Sequence, residues 1–165
     1  MHYFLGLDIW QRNDEIFLSQ GKYNVDILPR FGMVDCKSMN TLMNYNLRKL
    51  HENETRSYPV DPTLYRQFIG SLMYLVHLRP DICYAVSILS QFMTDPRHRH
   101  WVAGKHILRY LYGTVAYGLK YASNGGVLFL GYIDFDWSGS IIDRKIPSGY
   151  CFSFVSAMIS WSSRK

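Results

Sequence analysis

The 165-residue sequence reads as an α+β fold. Three observations carry that reading. Between Asp61 and Gly113, apolar residues recur at helical spacing, punctuated by Asp-Pro and Pro-Asp pairs. After Gly113 the period drops to two. Ahead of both, two short apolar runs flank a polar stretch, as a hairpin would.

In chain order, "HYFLGLDI" and "EIFLSQ" are expected to be the two strands of that hairpin, joined by a four- to five-residue loop within "WQRND". Ser19 is a candidate cap for a helix starting near Gln20, with Tyr23, Ile27 and Leu28 on one side. Pro29 should shorten or kink it. Residues 34–60 are polar and aperiodic and read as a long connection.

A first long helix follows, with Asp61 as its cap and Pro62 in the first turn. Leu64, Phe68, Ile69, Leu72, Met73, Leu75 and Val76 form its apolar stripe. Pro80 stops it, and Asp81 can start a second helix bearing Ile82, Val86, Leu89 and Met93. Asp95 and Pro96 announce a third, with Trp101, Gly104, Leu108 and Leu111 inward and Gly113 at its end. "AYGLKYA", "VLFLGYIDFDW", "GYCFSFV" and "AMISWSS" then read as a strand meander, turning at "SNGG" and at "SGSIIDRKIP". The boundary between helical and strand units falls near residue 115, and both ends of the chain read as cut.

Composition narrows the function classes. At 48% hydrophobic residues with 13 tyrosines, the chain is not disordered. A net charge of +5 suits nucleic acid, or simply a mildly basic domain. Cys36, Cys83 and Cys151 are far apart, without a C-x-x-C, and imply neither a disulfide framework nor a zinc module. No secretory signal and no bilayer-length apolar run occurs, so an intracellular protein, in cytoplasm or nucleus, is expected, with no membrane partner.

Two patterns could carry chemistry. Asp134 and Asp136, two apart on an expected strand, point to one face. They either hold a divalent metal or end a strand, Asp136 by accepting backbone N–H bonds in the turn before Gly139. "PRHRHW" with Lys105, His106 and Arg109 gives the third helix a basic edge. Arg97, Arg99, Lys105 and Arg109 there are phosphate contacts or a solvated face. His98, His100 and His106 allow a zinc site on spacing, an outcome not favoured.

The segments "YFLGLDI", "IFLSQGKY", "RFGMVDCKSMNT", "YRQFIGSLMYLVHLRPDICYAVSILSQFM", "HWVAGKHILRYLYGT", "GYIDFDWSGSIIDRK" and "SGYCFS…SWSSRK" resemble, in order, the copia-type long-terminal-repeat retrotransposon polyproteins of plants. That resemblance implies a terminal polymerase β-hairpin, a three-helix thumb-like unit and an incomplete antiparallel RNase H-like sheet. It divides the chain into 1–60, the end of a reverse transcriptase; 61–115, the thumb-like helices; and 116–165, the first strands of a ribonuclease H domain. "YFLGLDI" is similar to the hairpin that holds a primer's 3′ end, a role that would fall to Leu5, Gly6 and Leu7. Asp134 matches the first catalytic aspartate of the ribonuclease H fold. In such enzymes carboxylates hold Mg²⁺ ions that activate water.

The polymerase's own Tyr-x-Asp-Asp turn does not occur, nor do the further carboxylates of the ribonuclease site. Ile146 and Pro147 replace usual small hydroxyl residues, Phe135 a small polar one and Leu42 a proline, changes that read as drift. The implied function is that of a polyprotein fragment without autonomous catalysis. Its parent would synthesise DNA on RNA and cleave the RNA of RNA–DNA hybrids. The alternative is a non-catalytic module that binds a template–primer duplex or an RNA–DNA hybrid through its basic helix. No small-molecule partner is implied.

Overall fold

A computed structural model describes residues 2–43, 50, 57–123, 128–135 and 148–164. Seven strands and four α-helices are found there, in two antiparallel sheets around a helical core. The α+β expectation is met.

The first apolar run is not one strand. β1 (His2–Phe4) and β2 (Leu7–Gln11) fold against each other across Leu5 and Gly6. Both turn residues have positive φ, 48° and 77°, the backbone of a two-residue hairpin turn. Gly6 takes that conformation freely, but a leucine rarely does. Leu5 therefore hides the turn from a reading of residue types. β3 (Glu15–Ser19) pairs with β2 as expected, but the loop is only Arg12–Asp14, because Trp10 and Gln11 extend the strand. The Arg12 N–H closes it on the Glu15 carbonyl at 2.9 Å.

α1 (Gly21–Ile27) starts where expected, yet Ser19 does not cap it. The cap comes from β2: Asp8 Oδ2 accepts the Lys22 N–H at 3.1 Å. Pro29 ends α1 as expected, and a 3₁₀ turn, Pro29–Phe31, follows, closed by Gly32. α2 (Pro62–Leu75) is capped by Asp61, whose carboxylate accepts the Thr63 N–H at 2.9 Å. Its stripe is right at Phe68, Ile69, Leu72 and Leu75, but Tyr65 joins it while Leu64 and Met73 face outward.

α3 (Cys83–Ser90) is not capped by Asp81, which Arg79 holds instead. Met93 lies beyond that helix but still packs on the core. Nor does Asp95 cap α4 (His98–Gly113): it pairs with Arg97, and His100 reaches back to the Arg97 N–H. Gly104 lets α4 approach α2 closely. A Cβ there would lie 2.2 Å from Cε1 of Phe68.

The strand after α4 supplies the largest correction. β4 (Gly118–Ala122) pairs with β3, giving a first sheet in the order β1-β2-β3-β4. It does not open the meander. The second sheet is β5 (Phe129–Phe135), β6 (Ser148–Phe154) and β7 (Ala157–Arg164), with β5 and β7 at its edges. β7 lies on α3 and beside β4. Trp161 Nε1 donates to the Val76 carbonyl at 3.0 Å, and the Tyr121 hydroxyl donates to the Met158 carbonyl at 2.6 Å. Asn124, Gly125 and Gly126 of "SNGG" and the whole of "SGSIIDRKIP" lie outside the described residues.

Candidate nucleic-acid interface and carboxylate site

The Leu5–Gly6 turn is fixed from beneath. The Tyr74 hydroxyl, in the last turn of α2, donates to the Leu5 carbonyl. A Cβ on Gly6 would come within 2.8 Å of that hydroxyl, so glycine is required for clearance as well as for φ. Phe4 and Leu5 project outward, 64% and 73% exposed. Leu7 does not join them. It packs against the small cluster of Leu78, Leu119 and Ala157 between the sheets. Of the three residues expected to meet a primer, exposed Leu5 and half-buried Gly6 form the turn at the tip and Leu7 supports it.

Beside this tip runs a groove of about 460 Å³ that the sequence reading missed. Its floor is the outer side of α2, with Gln67, Gly70, Ser71 and Tyr74, and Arg30, Phe31 and Tyr23 form the wall. The signal was present as small and polar residues at positions 67, 70, 71 and 74, one helical face opposite the apolar stripe. Space is open above Gly70, where an added Cβ would meet nothing within 4 Å. Tyr23 and Tyr74 meet edge to face, with ring centroids 4.7 Å apart.

The basic edge of α4 is more engaged than its composition suggests. Arg97 pairs with Asp95 at 2.9 Å. Arg109 Nε donates to the Lys37 carbonyl at 2.7 Å. Lys105 sits over the Trp101 ring, 5.6 Å from its centroid. Arg99 lies against His100, with one guanidinium nitrogen buried. Lys105 and Arg109, four apart, share a helix side, while Arg99 is on its flank.

The three histidines do not converge on a metal. His100 is buried, stacks on Phe92 and takes the Arg97 N–H on Nδ1, leaving its Nε2 proton for the Leu50 carbonyl. His106 bonds the Thr41 carbonyl from Nε2 at 2.9 Å. Among the described residues no three His, Cys, Asp or Glu side chains could share a metal ion.

Asp134 is on β5, exposed, and opposite Gly149 of β6. Asp136 lies outside the described residues. A hard divalent ion needs several oxygen ligands, and among the described residues Asp134 belongs to no group of three such side chains, so by themselves they do not fit a Mg²⁺ site.

A separate polar knot ties the units together. Arg79, almost fully buried, donates to both Asp81 oxygens, at 2.9 and 2.7 Å, and to the Thr114 carbonyl and hydroxyl, at 3.1 and 2.7 Å. The Tyr110 hydroxyl also donates to Asp81, at 2.9 Å. Burial pushes the Asp81 carboxyl up, but the Arg79 hydrogen bonds and charge, with Tyr110, more than offset this, so it stays below its usual value. The Tyr110 hydroxyl is pushed up, by burial first and then by Asp81. Burial likewise pushes up the Cys83 thiol, which Ser163 of β7 opposes through its backbone. Among the described residues no helix is long and apolar enough to cross a membrane.

No family model matches the chain, and no solved structure matches it. Over all of its length it is 38% identical to an uncharacterized mitochondrial protein of Arabidopsis thaliana, AtMg00810, and covers 68% of that protein. It is 41% identical over 166 aligned positions to the retrovirus-related Pol polyprotein from transposon RE2 of Arabidopsis thaliana, covering all of this chain and 11% of the polyprotein. Against the Pol polyprotein from transposon TNT 1-94 of Nicotiana tabacum it is 38% identical over 157 residues, 91% of this chain and 12% of that one. The chain thus spans about a tenth of the length of these polyproteins. It belongs to the family of AtMg00810 and is homologous along its whole length to one region of the copia-type retrotransposon Pol polyproteins.

Proposed function

We propose that this chain corresponds to the stretch of a copia-type Pol polyprotein where the reverse transcriptase passes into the ribonuclease H domain. Its work is to hold a template–primer duplex or RNA–DNA hybrid, not to cleave it. The observation that carries this reading is the Leu5–Gly6 tip locked onto α2 beside an open groove. Gln67 and Ser71 offer hydrogen bonds there, Gly70 permits close approach, and Arg30 supplies positive charge. Lys105 and Arg109 add phosphate contacts from α4, with Arg97 and Arg99 behind them. Asp134 would correspond to one carboxylate of the parent polyprotein's hybrid-cleaving centre, but in this chain it has no metal-binding group of side chains around it among the described residues.

Binding to a fluorescent RNA–DNA hybrid over a salt series tests this. Gly70→Leu, which the open space lets fold, fills the groove and should weaken binding at least tenfold with the salt slope unchanged. The alternative, binding through the basic helix alone, predicts no effect of Gly70→Leu. It also predicts that replacing Arg97, Arg99, Lys105 and Arg109 by Ala lowers the slope of log K against log salt by about one unit per lost contact. No Mg²⁺-dependent cleavage is expected from this chain. Cleavage abolished by Asp134→Asn would overturn the non-catalytic reading.

A further inference from the structure

The two faces of the first sheet meet different surroundings. Along a strand, successive side chains point to opposite faces. Leu7 and Leu18, with Leu119 and Tyr121 of β4, pack into the small cluster between the sheets. Trp10, Phe17 and Lys120 therefore point the other way. They form one row across three strands, Trp10 opposite Phe17 and Phe17 opposite Lys120. The start of α1 covers one end of this face, where Asp8 and Ser19 are buried. Beyond it Trp10 is exposed and Phe17 half-buried. Their ring centroids are 5.5 Å apart. The Phe17 ring reaches over Gly118, where an added Cβ would lie 2.9 Å from its Cζ. A glycine there lets the ring rest against the backbone of β4.

Cations frame the two rings. The Lys120 side chain is 59% exposed and that of Arg12 78%. The Lys22 ammonium lies over the Tyr3 ring, 4.3 Å from its centroid, on the strand beside Trp10. Glu15 pairs with both Arg12 and Lys120, and Asp14 stands in the same loop, so the surface is positive by a narrow margin. Exposed ion pairs of this kind hold weakly and leave both cations open to exchange. Rings of this type stack on bases of any sequence, while lysine and arginine follow the phosphates. A duplex keeps its base faces stacked on one another and gains nothing from such rings. An unpaired strand gains from both the rings and the cations.

We infer that Trp10 and Phe17, framed by Arg12, Lys22 and Lys120, form a binding surface for an unpaired stretch of nucleic acid. It shares no residue with the groove on α2 and stands whether or not that groove takes a duplex.

The test uses the full chain and a fluorescent oligothymidylate of about 12 nucleotides, beside an abasic strand of the same length. The oligothymidylate should bind at least about tenfold more tightly than the abasic strand. Trp10→Leu, on an exposed position, should remove that preference, and Trp10→Phe should restore most of it. Lys120→Gln should keep the preference but lower the slope of log K against log salt by about 0.7. Gly70→Leu, which fills the groove, should leave oligothymidylate binding unchanged, so the two surfaces fail or hold separately. Equal affinity for the abasic strand would overturn the inference. So would a preference that survives in a folded Trp10→Leu variant, or polyglutamate competing as well as the oligothymidylate, which would mark a surface for acidic protein.

Discussion

The helical core and the second sheet are built from similar residues and packed very differently. Tyr65, Phe68, Ile69, Leu72, Ile107, Leu108 and Leu111 are wholly buried between α2, α3 and α4. In β5, by contrast, Phe129, Leu130, Tyr132 and Ile133 are all exposed, Ile133 at 75%. A strand sends alternate residues to opposite faces, so exposure at both 132 and 133 leaves β5 uncovered on both sides. The outer edge of β5 is also unpaired among the described strands. At the other side of the same sheet, β7 is anchored on α3 and on Val76 through Trp161. Hydrophobic residues stabilise a fold only where something meets them, and here that support fades from β7 outward to β5.

Truncation mutants should expose this contrast most strongly. Phe68→Ala removes a ring packed against Phe31, Trp101 and Gly104, and should cost about 3–5 kcal/mol in urea unfolding. Ile133→Thr should change stability by no more than about 0.5 kcal/mol and should reduce self-association. Similar costs at both sites would mean that β5 is covered in solution.

Hydrogen exchange resolved by segment sharpens the comparison. β5 should exchange first, before α2 and α4. β4 should exchange with the helices rather than with β5, because it is bonded to β3 and flanked by the Arg79 knot. Were β4 and β5 to open together, the two sheets would behave as one unit, contrary to their pairing.

The smallest expected effect concerns pH. The folded pKa of Asp81 is depressed, so its contribution is fully present above the unfolded value, near 3.8. It is lost as pH falls from there through the lower folded value. Asp81→Asn should therefore lower stability at neutral pH and flatten its decline as pH falls below about 4. A variant with the same acid profile as the parent would show that the Arg79 knot does not depend on this charge.

Local signals in the sequence determined the helical middle. Asp61-Pro62 marked a real cap, Pro29 ended α1, and the period of the apolar residues located α2, α3 and α4 with Gly113 at the close. These are short-range effects, decided by caps, proline geometry and one helix face. Asp136 and the turn after it lie outside the described residues, and for them the sequence speaks alone. Other features needed the whole molecule. Asp8, and not Ser19, caps α1, because the hairpin brings β2 beside the helix start. Asp81 and Asp95 turn to arginines instead of helix ends, since a guanidinium within reach outcompetes a backbone N–H. β4 looks like its successors in composition, yet it pairs with β3. Strand partners are chosen by which edge the preceding helix delivers the chain to, and alternation of side chains carries no record of that. The groove beside Tyr74 also arises only when α1, the 3₁₀ turn and α2 are assembled, for its wall and floor lie some forty residues apart in the chain.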